Sequence, residues 1–367
     1  MSERIDQVGG FEWGMACCCF VMGTILRSAF IIYTTGNESW MVGIFGAIAF
    51  MPMAAGYLSL LRRYPGMNLF EIVSAVLGGA VGTVVNILFV LFYIAVACLN
   101  MMEIGSFITG YLIRGSNFLL VTVVTGAAVA YALRKGMSAL MRTIPLVAII
   151  GIALVIFSSI QSIPESNFRN LMPWFVHTPG EFVHGTLIAI AIPYGEMLTM
   201  FALVPHVRSG TSLKKPMFLS IAFTMIIMVV VHVREAITLG ALLTYTVLPS
   251  FDVYRMIDTA SSFVRTESIN AMILVALTYI KVTILIYAAA QGLAHIGRLK
   301  SAKPLSIITC MFIAVYAEAF HNTSYNNIEW SVNVTPLIWI AFEYAIPAAL
   351  LLCAWFRVRA VRKAVTL

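Results

Sequence analysis

The sequence is poor in charge. Its 367 residues include 23 lysines and arginines and 16 aspartates and glutamates, 11% in all, where soluble domains carry about 25%. So few charges cannot cover a water-exposed surface of this size. That excludes a disordered chain, an ordinary cytosolic enzyme, and a nucleic-acid binder whose basic pI comes from one charged face. Cysteine is scarce too: Cys17, Cys18, Cys19, Cys98, Cys310 and Cys353 all lie in apolar runs, none at metal-ligand spacing. The triplet 17–19 points around three sides of a helix and cannot chelate as a unit, so reduced packing cysteines and no metal are expected. The apolar runs hold no Ser/His/Asp set, no HExxH and no paired Asp motif, so no catalytic residue, cofactor or enzyme activity is assigned. The opening MSERIDQVGGFEW is polar and lacks the charged, apolar and cleavage regions of a removable signal peptide. There is no low-complexity linker and no soluble catalytic module, so any such activity must come from a partner.

What is present in excess is apolar. Residues of the A, V, I, L, M, F, W, Y and C types make up 60% of the chain, and its mean hydropathy is +0.93. This composition fits an all-α, polytopic membrane protein. Ten apolar runs can be marked, at about 12–35, 38–61, 81–112, 117–133, 143–162, 183–204, 216–239, 268–294, 304–321 and 335–356. With the N-terminus in the cytoplasm, the alternate loops and tails on that side hold 16 of the 23 basic residues, including Arg62, Arg63, Lys135, Lys214, Lys300 and Arg359. The opposite side holds four (Arg114, Arg169, Arg255, Arg265), and Arg27, Arg234 and Lys281 fall within runs. The bias follows the positive-inside rule and places both termini in the cytoplasm. Within the second long outer segment, Pro249–Ser262 reads as a short interfacial helix.

Ten spans divide into five plus five of opposite orientation, within a single membrane domain of residues 1–367. Residues 1–162 form the first repeat, 163–182 an extracytoplasmic loop, and 183–367 the second repeat with a basic cytoplasmic tail. The opening run of each half carries helix-breaking residues: Met22-Gly23-Thr24 in the first and Ile192-Pro193-Tyr194-Gly195-Glu196 in the sixth. Paired interruptions of this kind point to an inverted-repeat transporter fold of the leucine-transporter type, with helices 1 and 6 broken around a midplane site. Pro193 removes a backbone donor and Gly195 tolerates unusual φ. The freed N–H groups and half-helix N-termini can hold an anionic group.

Charge at depth costs roughly 2.5–3.5 kcal/mol on insertion scales, so ionisable residues within spans face a cavity or a partner. Lys281, nearly central in its run, is the deepest. At the contact of helices 1 and 8 its ammonium could stand in for a coupling ion, or form a fixed pair with a glutamate. Glu196 lies in the sixth-span break, and Glu103 and Glu343 are candidates to line the cavity. Arg234-Glu235 and Glu318 lie toward span ends, where snorkelling or gate contacts are expected. His184 and His232 read as interfacial hydrogen-bonders, and the six tryptophans as a membrane-interface belt. Gly78-x-x-x-Gly82 suits close helix packing.

One series of residues carries a family pattern. It includes Gly23-Thr24-Ile25-Leu26, Trp40, and Arg62-Arg63-Tyr64-Pro65-Gly66-Met67-Asn68-Leu69-Phe70-Glu71-Ile72. Leu77-Gly78, Gly82, Gly136-Met137, Arg142, Pro145 and Asn170-Leu171-Met172-Pro173 continue it. Gly195-Glu196-Met197, Pro205 and the Lys214-Lys215 loop complete it. The series resembles the spore germination permease family, the B subunits of endospore germinant receptors, within the amino acid–polyamine–organocation superfamily. The resemblance spans essentially the whole chain and is densest over about 20–220. It implies a sensor in the inner spore membrane that binds a small germinant, commonly an amino acid. It further implies an A subunit and a lipoprotein C subunit as partners, with Gly23, Thr24 and residues 192–196 forming the pocket. Where amino-acid permeases have a second small residue and a proline after Gly-Thr, this chain has Ile25, Leu26 and Arg27-Ser28. Arg27 is therefore expected to pair with Glu196 or to contact an anionic ligand. The alternatives are a proton-coupled amino-acid permease, with Lys281 as the coupling group, and a membrane scaffold or channel part.

Overall fold

The computed structural model describes residues 7–25, 29–260, 266–319 and 324–365, and helix is the only extended regular structure among them. Eight stretches among the described residues are long and apolar enough to cross a membrane. One of them, Ala29–Arg63, joins the second piece of span 1 to span 2. Gly10–Ile25 and Lys303–Ala319, of 16 and 17 residues, supply the two remaining rods. Span 1 thus comprises Gly10–Ile25 and Ala29–Thr35, and span 2 is Ser39–Arg63. Span 3 is Gly79–Phe107 with a closing π turn, span 4 Phe118–Lys135 and span 5 Met137–Gln161. Span 6 begins at Pro179 and ends at His206, span 7 is Lys214–Leu239 and span 8 Thr266–Ile296. Span 9 is Lys303–Ala319, and span 10 runs from Thr335 through Val365.

The packing follows the five-plus-five symmetry. Spans 3 and 8, 4 and 9, and 2 and 7 pack as pairs, each of which maps onto itself when span n is exchanged with span n+5. Span 1 lies on 7 as 6 lies on 2, and on 5 as 6 lies on 10. Span 6 is almost wholly enclosed, whereas spans 4, 5 and 10 keep most of their surface outward. An apolar outer surface is what a hydrocarbon solvent demands.

Three short α-helices lie between spans among the described residues. Pro249–Ala260 forms where an interfacial helix is expected. Leu69–Leu77 and Ser324–Asn333 have no counterpart among the sequence expectations. The first is nevertheless written locally: Glu71 N–H donates to Asn68 Oδ1 at 3.0 Å and Asn68 N–H to Glu71 Oε2 at 2.8 Å, a capping box. A second box, Thr178 with Glu181, starts span 6 four residues before the apolar run at 183. Gly78 ends the 69–77 helix at φ +83°, and Gly82 then packs so closely that a Cβ would lie 3.1 Å from Ser74 Cα. The Gly78-x-x-x-Gly82 motif therefore serves a helix corner and a close helix approach.

On the face that carries the N-terminus, Val8 bridges Val207 in parallel. Val8 N–H donates to the His206 carbonyl at 2.9 Å, and Arg208 N–H donates to the Val8 carbonyl at 2.9 Å. This strap ties the start of the chain to the end of span 6.

Candidate functional site

Gly23 and Thr24 do not interrupt span 1. The helix runs through them to Ile25, and a second piece begins at Ala29. Gly23 has another use: a Cβ there would sit 3.2 Å from the Leu277 carbonyl oxygen, so glycine lets span 1 lie directly on the backbone of span 8. The next residue, Thr24, is brought against Lys281, one helical turn beyond Leu277. Lys281 Nζ donates to Thr24 Oγ1 at 2.5 Å and pairs with Glu196 Oε2 at 2.5 Å. It also lies 5.2 Å from the centroid of Phe20, which shares a helix face with Thr24 at i,i+4 spacing. The other Glu196 oxygen accepts from Trp339 Nε1 at 3.2 Å. Lys281, Glu196, Thr24 and Trp339 are all buried. One ammonium thus joins spans 1, 6 and 8, and its carboxylate partner adds span 10.

The backbone of span 6 explains how Glu196 reaches this point. An α segment, Pro179–Ala189, widens into a π segment, Ile190–Tyr194, and then tightens into a 3-10 helix, Gly195–His206. Pro193 lies inside the π segment, where it has no N–H to continue the α ladder. A 12-residue 3-10 helix far exceeds the usual three or four residues, and mid-helix 3-10 segments mark hinges. Span 6 is therefore interrupted by a change of winding at 190–195, and Glu196 is the second residue of the 3-10 segment. Span 10 repeats the device with a π segment, Ala341–Ala345, that holds Glu343.

A cavity of about 740 Å³ opens from the ion pair and is lined by Thr24, Glu196, Lys281, Glu103 and Asn100 among mostly apolar side chains of spans 3, 9 and 10. It is within the range of small-molecule pockets. The remaining expected site residues sit elsewhere. Gly23, Pro193 and Gly195 are buried scaffold positions beside the cavity, and Tyr194 turns toward spans 2 and 7, its hydroxyl 3.4 Å from the Gly43 carbonyl oxygen. Glu343 is buried behind Gly195, not on the cavity wall. Arg27 lies outside the described residues.

Several site and near-site residues escape sequence reasoning. Trp339 belongs to the ion-pair network and not to the interface belt, and Trp13 is buried as well, its Nε1 donating to the Met200 carbonyl at 3.4 Å. Arg234 and Glu235 do not snorkel. Both are buried: Arg234 donates to Ser158 Oγ at 2.7 Å, Ser250 Oγ at 2.9 Å and Tyr254 Oη at 3.3 Å, and Ser250 donates to Glu235 Oε1. This second cluster fastens the 249–260 helix to spans 5 and 7. His232 is buried rather than interfacial, and His184 Nε2 donates to the Val332 carbonyl at 2.9 Å. Glu318 is exposed near the end of span 9, as expected.

Comparison with known proteins fits the fold. The model of a family described as spore germination protein matches residues 15–326. Spore germination protein KB of Bacillus subtilis (strain 168) is 20% identical over 332 residues, 87% of each chain. Spore germination protein B2 of the same organism is 23% identical over 211 residues, 54% of this chain and 53% of that one. Among solved structures, a Na+-coupled sialic acid symporter in a substrate-bound, outward-open state superposes with a TM-score of 0.58 at 11% identity, over 92% of this chain and 79% of the symporter. At that identity the likeness shows the fold, a ten-helix inverted repeat, and not the substrate. A family match over most of the length, on a fold shared with transporters, identifies the chain as a membrane-embedded member of the spore germination permease family, the B subunits of germinant receptors.

Proposed function

We propose that the protein is the germinant-sensing subunit of a spore germination receptor. It binds a small germinant, an amino acid by preference, at the midplane cavity and signals to an A subunit and a lipoprotein C subunit in the inner spore membrane. Both termini face the cytoplasm, in keeping with the 16-to-4 distribution of basic residues. The observation that carries this reading is the position of the Lys281–Glu196 pair: it forms part of the cavity wall and ties together spans 1, 6 and 8. An amino acid brings one carboxylate and one ammonium. Its carboxylate can replace Glu196 at Lys281, and its ammonium can replace Lys281 at Glu196, with Glu103 on the same wall. Exchange of the internal pair for two ligand contacts loosens one helix from another, which supplies the differential interaction that a ligand-driven change of state requires.

Isothermal titration of the purified subunit, alone and with its partner subunits, is expected to detect a ligand among amino acids, nucleosides and sugars. Silence across that panel overturns the sensor reading. Lys281 favours a second reading, a proton-coupled amino-acid permease, because a buried lysine occupies the contact of helices 1 and 8. Accumulation in proteoliposomes driven by a pH gradient, and lost in Lys281→Met, would make transport the primary activity.

A further inference from the structure

Glu343 is an anomaly in the core. It is fully buried, and neither carboxyl oxygen has a hydrogen-bond partner. Buried carboxylates are ordinarily paired or hydrogen-bonded, and an unsatisfied one requires an explanation. The π segment of span 10 aims this side chain at span 6. A Cβ on Gly195 would lie 2.8 Å from Glu343 Cδ, so only a residue without a side chain leaves room for the carboxyl there. Its electrostatic neighbours among the described residues are few. Span 6 contributes Glu196, span 8 Lys281, span 2 Tyr57, span 3 Tyr93, and span 10 itself Tyr344.

None of these neutralises a Glu343 carboxylate. The Lys281 ammonium is already engaged by Glu196 and Thr24. The Tyr57 hydroxyl donates to the backbone carbonyl of Glu343 at 2.5 Å, not to its carboxyl, and the Tyr344 hydroxyl donates to the Ile190 carbonyl at 3.3 Å. Among the described residues, with every group ionised, Glu343, Glu196 and Lys281 would together carry a net negative charge, away from water, within the helix bundle. A bound metal cation would need several oxygens converging on it, yet two of the nearby hydroxyls are directed to backbone carbonyls instead. A proton requires no further ligands and leaves one balanced ion pair.

We propose that Glu343 is a proton-binding site coupled to the Lys281–Glu196 pair. In this conformation the carboxyl is neutral. Loss of its proton would set a second carboxylate beside Glu196, competing for the same ammonium and weakening its hold on Thr24. The proton therefore favours the joined arrangement of spans 1, 6 and 8, and by reciprocity that arrangement holds the proton. When the arrangement opens, the proton leaves the carboxyl oxygen for water entering the cavity. The proposal does not depend on which ligand the cavity takes.

The test is infrared spectroscopy of the subunit in lipid vesicles, with no ligand added. The wild type is expected to show the carbonyl band of a protonated, buried carboxylic acid. Glu343→Gln removes that band, and Glu318→Gln, at an exposed position, leaves it. A wild-type spectrum without such a band at neutral pH, or one whose band survives in Glu343→Gln, overturns the proposal. Stability gives a second readout on the same proteins. A proton held in the fold but not in the unfolded chain makes stability fall as pH rises above the ordinary glutamate range, until Glu343 itself ionises. Over that range the wild-type unfolding constant rises by up to about tenfold more per pH unit than that of Glu343→Gln, which mimics the neutral form. A wild-type stability that instead follows sodium or potassium concentration would assign Glu343 to a cation and overturn the proton.

Discussion

Replacing Lys281 by methionine removes an ammonium that three groups hold at once, and the loss should be large. Methionine keeps most of the apolar stem, so packing changes little. What remains is a buried Glu196 carboxylate held by the Trp339 indole N–H at 3.2 Å. Removing one member of a buried pair costs about 3–5 kcal/mol, because the survivor is left uncompensated. The same principle makes the double substitution informative. In Lys281→Met with Glu196→Gln the ion pair is gone from both sides, and the amide oxygen at position 196 can still accept from Trp339. The double variant should fall within about 1 kcal/mol of the wild type, or exceed it in stability. Equilibrium unfolding in mixed micelles, followed by helical circular dichroism, gives all four corners of the cycle. The expected coupling is at least about 2 kcal/mol between the two sites. If Lys281→Met costs less than about 1 kcal/mol, or if the double variant costs the sum of the singles, the ion pair is not the link between spans 1, 6 and 8.

Arg234→Met should leave Glu235 buried with Ser250 alone, again at about 3–5 kcal/mol; because Arg234 also holds Ser250 and Tyr254, hydrogen exchange at 249–256 should accelerate, and unchanged exchange there would show that the 249–260 helix is anchored by other contacts. Gly195→Ala should destabilise by about 1–3 kcal/mol through overpacking, since its Cβ would lie 2.8 Å from Glu343 Cδ and 2.9 Å from the Ile190 carbonyl oxygen; a germination assay on spores carrying this variant should show a blunted dose response, and a normal one would remove the 195–196 region from the signalling path.

Much of the architecture is legible in the sequence because hydrocarbon imposes a simple rule on length and polarity. The run at 216–239 becomes Lys214–Leu239 and the run at 268–294 becomes Thr266–Ile296. Lys281 stands out for the same reason: a charge at depth has few explanations. What local sequence does not encode is the second use of a residue. Gly23 looks like a helix break, but its lack of a side chain serves the approach to Leu277, a residue of the other repeat. Trp339 looks like a belt residue until Glu196 arrives from another span. Arg234-Glu235 looks interfacial because it lies near the end of its run, and its burial depends on Ser158, Ser250 and Tyr254 from other elements. Each of these misreadings concerns a contact made across the fold, which no periodicity along one helix can show.

The nature of the central contact bears on how such a protein could respond to a small molecule. A buried ion pair is a weak source of stability, because desolvation offsets most of its Coulombic gain. The Lys281–Glu196 pair is accordingly a poor candidate for a fastener selected for strength alone. Under the proposed function its merit is that it can be exchanged. A zwitterion carries the same two charges as the pair it would replace, so substitution on the cavity wall leaves the number of buried charges balanced while changing which helices they join. The winding change at 190–195 puts the movable partner on a hinge, and Gly195 places that hinge against Glu343 with no side chain between them. A change at Lys281 is therefore felt at once by spans 1 and 6, and through Glu343 and Trp339 by span 10. Under the proposed function, recognition and helix movement are the same event, and no separate relay between them is required.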